Sequence, residues 1–515
     1  MKRAALLVVL GACAADTGVQ LTPIIDVPTN DTASAFPIDS YTVVIAHDGQ
    51  PDDLVSATFQ AGEPMQIDNI PFGDDLVIHM FGRVGTSEVA YGRTCKFAVR
   101  ADGRVPAPHL WFSRLVKFGS LEARPIAREG GTALTFDDGS GLLLGGHVPG
   151  DPRDSIDQVE RFDPAAGAYE TLHDVSPRSG AVSAILGTED ARVAVIGGKD
   201  ETTNQGAGFV EVIDADRTTN RQYEKFDDSQ MDRIGLSATT LTDGRVIAIG
   251  GETPIAGETS GTISDKVTEV ALEDGGTVVV RELRAKLSYP LVSACTPSPT
   301  HKCVAGRKNH TATRLADDVG SPVLVAGGLD ANDEPIPDAE LFKPLAESFS
   351  PNFNAKMVVP RSNHRAVRLP DGSVLILGGV DAAGQPVDTI EQFSLDSGFT
   401  KFTDPNGGDK KLPANAGLID FTATTLPDGR VLITGGRRID GGDPLNTAYI
   451  ARLDPFNGTV DIVATDRLQY PRAGHQATLL CDGTVLLSGG DARLPDGSSG
   501  QTPYERYNPP SLGRR

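Results

Sequence analysis

The chain has 515 residues, including 57 glycines and 35 prolines, and its formal net charge at pH 7 is −22. This composition is typical of a turn-rich chain rather than a helical one. The acidic excess argues against binding nucleic acid or docking by charge on anionic lipid, because both need clustered lysine and arginine. It favours a soluble surface that repels its own copies and predicts a monomer; a calcium-rich or cationic partner is the alternative.

The first thirteen residues have a charged start and a short apolar stretch, which is typical of a secretory signal. Their last four, Leu10-Gly11-Ala12-Cys13, resemble the bacterial lipobox. The resemblance implies cleavage before Cys13, lipidation of that cysteine and an anchor in the cell envelope. Ala14 stands where an aspartate would resemble an inner-membrane retention signal, so the outer membrane is the expected destination. An ordinary signal peptide with an incidental cysteine is the alternative.

The next two segments precede any repeat. Residues 13–37 are polar and contain proline, which predicts a tether. Residues 38–109 contain alternating apolar strands separated by Gly, Asp and Pro. This pattern predicts a small β-sandwich of immunoglobulin-like or prealbumin-like type.

A repeat begins near residue 115, and its most regular feature is a pair of glycines that ends a short apolar run. The steps between pairs are 51 to 57 residues, with one of 77. A period near fifty residues is typical of repeat architectures, and short runs rich in β-branched residues predict buried strands. An Asp-Gly turn before most of these runs predicts a hairpin. The seven pairs are Gly145-Gly146, Gly197-Gly198, Gly250-Gly251, Gly327-Gly328, Gly378-Gly379, Gly435-Gly436 and Gly489-Gly490.

Two further positions recur in the repeat. Three repeats have a histidine three residues after an arginine, and a later strand carries Glu-x-Phe or Glu-x-Tyr. The whole pattern, Arg-x-x-His-x-Ala, Asp-Gly, apolar run, Gly-Gly and Glu-x-Phe/Tyr, resembles the kelch repeat over roughly residues 115–510. The resemblance implies an all-β fold with a seven-bladed kelch-type β-propeller of four-stranded blades around a central channel. Six repeats open with the arginine, and the sixth has Leu418 instead: Arg128, Arg178, Arg233, Arg307, Arg361 and Arg472.

The seventh repeat lacks its last strand, because only eight residues follow Tyr507. Residues 110–121 precede the first arginine and have no other partner, so we expect them to close the ring by pairing with the seventh blade. The predicted organisation is a signal peptide at 1–12, a tether at 13–37, a β-sandwich at 38–109 and a propeller at 110–510.

The chain has four cysteines besides the one in the lipobox. Cys295 and Cys303 lie in the insertion that lengthens one step to 77 residues, and export makes a disulfide between them the expected state. A metal site that includes His301 is the alternative. Cys95 and Cys481 are far apart in sequence, each on an apolar strand, and are predicted to be buried free thiols.

The residue that follows each glycine pair should lie at one face, near the channel mouth. Five of the seven are polar or charged and are the candidate ligand-binding residues: His147, Lys199, Glu252, Arg437 and Asp491. We predict no catalytic residue, metal or cofactor. The three histidines occupy equivalent positions in different blades and should not converge, and the arginines should bridge blades. A kelch-type copper oxidase of sugars would need an adjacent Tyr-His pair, which this chain lacks.

These observations favour an envelope lipoprotein that binds a protein or a glycan through one propeller face, without catalysis. Two alternatives stay open. One is an enzyme acting on carbohydrate or other envelope material, with two carboxylates about 5–10 Å apart at the channel mouth. The other is an architectural spacer without a pocket.

Overall fold

The computed structural model describes residues 19–509 except 29–36, 101–106, 121–123, 137–138, 165–167, 189–191, 201–202, 215–222, 228–230, 257, 259, 274–275, 290–295, 299–300, 352, 354, 440, 455–456, 495 and 499. The described regular structure is almost entirely β-strand, with a turn of 3-10 helix at Pro344–Ala346. The chain divides into two compact units, one ending at Leu115 and the other running from Val116 to Pro509. The predicted signal peptide and Cys13 lie outside the described residues.

The N-terminal unit is built on one mixed seven-stranded sheet. The only parallel pair among its described strands is Ile24–Asp26 with His109–Arg114. A separate two-stranded sheet, Val19–Leu21 with Ile67–Ile70, packs on it through a shared apolar cluster. In sheet order the seven strands are Ile24–Asp26, His109–Arg114, Ser87–Thr94, Gly73–Val84, Ser40–His47 and Asp53–Gln60, with Phe97–Val99 beside Gly73–Val84.

The structure adds two details to the prediction for this unit. Among the described residues, the layer that covers the mixed sheet has two strands. Part of the predicted tether is also structured, because Leu21 is buried in the cluster that covers the sheet. Alternating apolar residues predict strands, but they do not say how many strands each layer holds.

The second unit is a seven-bladed β-propeller, as predicted. Each blade is a four-stranded antiparallel sheet, and the innermost strands contact their neighbours in an unbroken ring. From the inside outward, blades 1 to 3 are Thr132–Thr135, Gly141–Leu144, Gln158–Asp163, Ala168–Asp174; Ser179–Leu186, Arg192–Asp200, Phe209–Asp214, Tyr223–Asp227; and Ser237–Thr240, Val246–Ile249, Lys266–Glu273, Thr277–Lys286. Blades 4 to 6 are Thr311–Arg314, Val323–Ala326, Asp338–Lys343, Ser348–Phe349; Arg365–Arg368, Val374–Leu377, Glu391–Ser394, Gly398–Lys401; and Thr422–Thr425, Val431–Thr434, Ala448–Asp454, Thr459–Ala464.

Short ribbons extend several of the blades at one face. They are His147–Val148 with Asp151–Ser155, Gln205–Gly206 beside the second strand of blade 2, Glu252–Thr253 with Thr262–Ile263, Ala355–Lys356 beside the third strand of blade 4, and Arg472–Ala473 with Asp491–Ala492.

The second strand of each blade shows why its sequence is continuously apolar. In blade 5, Leu375 and Leu377 pack in a cluster with blade 6, whereas Val374 and Ile376 pack with blade 4. Successive side chains of a strand point to opposite faces, so a sheet covered on both faces needs apolar residues at every position.

Blade 7 consists of Gln476–Leu479, Val485–Ser488, Glu505–Asn508 and Lys117–Ser120. Phe118 lies opposite Tyr507 in the register, and their ring centroids are 4.9 Å apart. The propeller is therefore closed by a strand from its own N-terminal end, but that strand is shorter than the predicted 110–121. Residues up to Arg114 belong to the sheet of the N-terminal unit instead.

The cysteines differ in part from the prediction. Cys95 and Cys481 are each disulfide-bonded, so they are not free thiols. Cys303 is also disulfide-bonded, but Cys295 lies outside the described residues and its pairing stays a prediction. Disulfides persist in oxidising compartments, so these three cysteines indicate an extracytoplasmic protein. No described helix has the length and apolarity needed to span a bilayer.

Candidate functional site

The glycine pairs allow each blade to pack closely against the next blade. Gly435 has φ +60°, and a Cβ placed on it would lie 2.4 Å from the backbone oxygen of Arg472 and 2.8 Å from the His475 ring. Both of those residues belong to the start of the next blade. The glycine is required for its left-handed conformation and for this close approach. The glycine pair and the Arg-x-x-His segment thus form one inter-blade joint.

The recurring arginines are buried, and five of the six pair with a glutamate of their own blade. In blade 5, Arg361 donates to the Glu391 carboxylate at 2.6 Å and to the carbonyls of Gly378 and Thr389. Burial lowers the pKa of Arg361, an effect that Glu391 opposes. Blades 1, 2, 4 and 7 repeat the pair with Arg128–Glu160, Arg178–Glu211, Arg307–Glu340 and Arg472–Glu505. The prediction that these arginines bridge blades is wrong, because the glutamate lies on the third strand of the same blade.

The histidines form the contact between blades. The Nε2 atom of His364 lies 2.9 Å from Thr311 Oγ1 on the preceding blade, and His310 and His475 make equivalent bonds to Ser237 and Thr422. Burial lowers the pKa of His364 to about 3. The three rings are therefore structural and neutral, and each lies at a different blade junction.

A ring of left-handed residues surrounds the channel mouth at this face. They stand two positions after each recurring arginine, or after Leu418, and all have positive φ: Gly130, Gly180, Gly235, Asn309, Asn363, Asp420 and Gly474. Backbone hydrogen bonds join neighbouring members, such as Asn363 N–H to the Asn309 carbonyl at 3.1 Å. Glycine, asparagine and aspartate tolerate this conformation better than other residues. The recurrence of Gly, Asn or Asp at this position is visible in the sequence, but it is not among the predicted features of the repeat.

The structure brings Arg437 and Asp491 together, two of the five candidate residues. The Arg437 guanidinium lies 3.1 Å from Asp491, 2.7 Å from Glu129 and 3.4 Å from Asp420. Arg493 also pairs with Asp491. These residues come from blades 6 and 7 and the start of blade 1, so the cluster ties three blades together at the mouth.

The carboxylates of this cluster are paired with its arginines. Glu129 and Asp491 both accept from the same guanidinium, that of Arg437. Glu129 follows the recurring arginine directly, and its backbone pairs with the residue after the glycine pair. Glu129 is not among the residues predicted from the sequence, although its position in the repeat could have indicated this pairing.

Lys199 and Glu252 line a separate cavity of about 750 Å³ on the same face, between blades 2 and 3. Lys199 donates to Asn204 Oδ1 at 3.0 Å, and Asn204 in turn donates to the carbonyls of Ile255 and Glu258. Asn204 therefore links the two walls of the cavity. Arg153, from the ribbon that begins at His147, completes the charged lining.

The Glu252 carboxylate is held on the side away from blade 2. It accepts from Lys308 Nζ at 2.6 Å and from the Gly261 backbone N–H. Burial acts to lower the pKa of Lys308, but its bonds to Asp333 and Glu252 outweigh burial and raise it. Lys308 thereby fixes the position of Glu252, whereas Arg153 and Glu258 are exposed at the rim.

His147 lies in neither group. Its Nδ1 is 3.1 Å from the carbonyl of Val148, within its own ribbon. The five candidate residues therefore separate into an inter-blade tie (Arg437 and Asp491), a cavity (Lys199 and Glu252) and one residue beside them. Arg153 and Asn204 were missed because neither stands at a recurring position.

The insertion between blades 3 and 4 reaches the same face. Asn332 Oδ1 accepts from the Lys302 backbone N–H at 2.7 Å, and Asn332 Nδ2 donates to the Lys302 carbonyl. Asp330 accepts from the N–H groups of Asn332 and Glu334, so its carboxylate organises a turn. Among the side chains that the structure describes, no three His, Cys, Asp or Glu residues lie close enough to hold a metal ion.

Comparisons with known proteins support the fold. No protein-family model and no curated protein matches the chain. A solved structure titled as that of YjhT is 16% identical over 64% of this chain and 97% of that chain, with a TM-score of 0.38. A fungal alcohol oxidase of the AA5 family, solved in complex with copper, is 16% identical over 76% of each chain, with a TM-score of 0.51. At this identity the likeness to the oxidase shows the fold alone.

Proposed function

We propose that this protein is an extracytoplasmic binding module whose kelch-type propeller captures a polar ligand, a glycan or a polar loop of a protein, in the cavity between blades 2 and 3. The supporting observation is the position of Lys199 and Glu252. Both residues were predicted from their position in the repeat alone. They line the same cavity of about 750 Å³, a volume typical of ligand sites.

The lining favours a ligand with hydrogen-bonding and charged groups. Arg153 and Lys199 offer cationic donors, Glu258 offers an acceptor, and Ser260 a hydroxyl. The links through Asn204 and Lys308 hold both walls in place before a ligand arrives, and such preorganisation lowers the cost of binding.

The proposal is tested by ligand capture with the mature protein, using a glycan array and a pull-down from envelope extracts. The double variant Arg153→Ala, Lys199→Ala should lose capture while its melting temperature stays unchanged. His147→Ala is the matched control on the same face and should capture normally. Full capture by the double variant would reject this cavity as the site.

The anchor is a separate part of the proposal. Lipidation of Cys13 would tether the module to the envelope, with the outer membrane as the expected location and a monomer as the expected state. Labelled palmitate should enter the wild-type protein and not Cys13→Ala when both are expressed in a bacterium. Incorporation of label into the variant would contradict the assignment, and light scattering of the soluble form checks the monomer.

A further inference from the structure

The opposite face of the propeller carries a second and larger cavity, of about 1220 Å³, at the other mouth of the channel. Its floor is formed where the innermost strands of blades 4 to 7 end, at Leu315, Leu369, Leu426 and Leu479. The walls include the Asp-Gly turn of blade 5. The cavity is therefore built by the repeat itself, with an apolar floor.

The charged residues of this lining are predominantly acidic. They are Asp317, Asp318, Asp371 and Asp396 against the single cation Arg368, a formal excess of three negative charges. Asp317 is engaged by Arg314 at 2.9 Å and by Arg368 at 2.5 Å. The single cation Arg368 pairs with Asp317, and among the described residues no lysine or arginine forms an ion pair with the other three carboxylates.

The turn of blade 5 differs from the turns of blades 3, 6 and 7, whose aspartates each pair with an arginine. In blade 3 the turn aspartate Asp243 pairs with Arg245 at 2.7 Å, and in blade 6 Asp428 pairs with Arg430. Blade 5 has Ser373 in place of that arginine, and within the described part of the chain Asp371 accepts from the Ser373 N–H and hydroxyl. The Asp371 carboxylate therefore has no arginine partner among the described residues.

Exposed apolar side chains stand beside these carboxylates. Leu395, which lines the cavity next to Asp396, is 59% exposed. Val319, adjacent to Asp318, is 69% exposed, and Leu345 against Gly320 is 70% exposed. Large apolar side chains at this exposure, grouped at the rim of a cavity, are typical of an interaction surface.

We propose that this second mouth binds a lysine- or arginine-bearing segment of a partner protein. A basic side chain fits this site in two respects. Its charged end can pair with the carboxylates, and its aliphatic stem can pack on the leucine floor. A single metal ion fits less well, since the described carboxylates do not converge into a group that could hold one. The exposed leucines and valine favour a protein segment over a simple polyamine, which has no apolar side chains to cover them.

The test measures binding of fluorescein-labelled octalysine to the full mature protein by anisotropy. The variant Asp318→Asn, Asp371→Asn, Asp396→Asn keeps side-chain volume and the acceptor oxygen of the turn. It should weaken binding about tenfold, the combined effect expected for three partly exposed ion pairs. The control variant Asp52→Asn, Glu273→Gln, Asp461→Asn removes the same charge at exposed positions outside the cavity and should change the dissociation constant less than about twofold.

A second experiment tests whether the site prefers a cationic segment that also has apolar side chains. We expect Leu395→Ser to weaken binding of a labelled peptide that alternates lysine and leucine, and to leave octalysine unaffected. Equal losses in the two charge variants would mean diffuse attraction by an acidic protein and would overturn the proposal. The proposal would also be overturned if the Leu395→Ser protein bound both peptides as the wild type does. A further contradicting result would be that calcium or spermine abolishes binding at concentrations at which lysine monomer does not. The site lies on the face opposite the blade 2–3 cavity, so its failure and that of the proposed function are independent.

Discussion

The guanidinium of Arg361 and the carboxylate of Glu391 lie 2.6 Å apart with both side chains completely buried. Glu391 also accepts from the backbone N–H groups of Val358 and Val359. The pair therefore holds both the glycine joint and the segment that enters the blade. In blade 6 the equivalent positions are Leu418 and Tyr449, so both members of the pair are replaced together by residues without charge.

Removing one member of this pair should lower the unfolding free energy more than removing both members. Arg361→Met or Glu391→Gln alone leaves one charge buried without its partner, and each should lower the unfolding free energy by about 3–5 kcal/mol. The double variant buries no charge and should lose less than either single variant. Urea unfolding of the three proteins measures this coupling.

Leu418→Met is the matched control, because it changes side-chain shape at the same position of a blade that has no charge pair. It should cost less than about 1.5 kcal/mol. Additive effects of the two single changes in blade 5 would show that the residues do not act as a pair.

The glycine joints give a second prediction. Gly435 and Gly384 both have left-handed φ, but a Cβ on Gly435 would collide with the next blade, whereas a Cβ on Gly384 would meet nothing within 4 Å. Gly384→Ala should cost about 1–2 kcal/mol for the conformation alone. Gly435→Ala should cost about 1–3 kcal/mol more, because the neighbouring blade must move. Thermal or urea unfolding checks both, and equal costs would mean that close approach does not matter at the joint.

The recurring positions predicted most of the fold. Gly-Gly, Asp-Gly and Glu-x-Phe recur with one period because each blade must bury both faces against equivalent neighbours, so the same physical demands return about every fifty residues. The N-terminal unit has no such repetition, and its two-stranded cover follows from long-range packing that alternating apolar residues do not specify.

The candidate site was predictable only in part. Repeat position located Lys199 and Glu252 on one face, but it could not separate them from Arg437 and Asp491, since all four follow a glycine pair. What separates them is contacts between blades: Glu129 binds Arg437 in one case, and Asn204 beside Lys199 donates to the carbonyls of Ile255 and Glu258 in the other. Such contacts join residues far apart in the chain, and a single sequence contains no signal for them.

The buried histidines predict a specific pH dependence. The pKa of His364 is lowered to about 3, and burial also lowers those of His310 and His475, so all three are neutral in the folded protein. An unfolded histidine takes up a proton below about pH 6.5. Their contribution to stability is therefore complete above that pH and is lost progressively as the pH falls toward 3.

Replacing one histidine tests this linkage. Phe421 occupies the same position in blade 6, so His364→Phe introduces a side chain that the fold already accepts there. Between pH 6 and pH 4 the stability of the variant should fall less steeply than that of the wild type, by about 1.4 kcal/mol per pH unit for one proton. Unfolding free energies at several pH values measure the slope. An unchanged slope would mean that His364 is already protonated in the folded protein.

Closure of the ring gives the last prediction, and it depends on Phe118. This side chain is 1% exposed and packs on Tyr507, and its strand reaches blade 7 from the other end of the propeller sequence. Phe399 in blade 5 has the same relationship to Phe393, at 5.0 Å, but its strand continues directly from the strand it pairs with. Either Phe→Ala change removes a buried ring and should cost about 3–5 kcal/mol of unfolding free energy.

Only Phe118→Ala also weakens the contact that joins the two ends of the propeller. It alone should therefore expose strand edges and form oligomers well below its melting temperature. Size-exclusion chromatography and limited proteolysis at matched fractions of folded protein compare the two variants, and identical behaviour would show that closure does not depend on this strand.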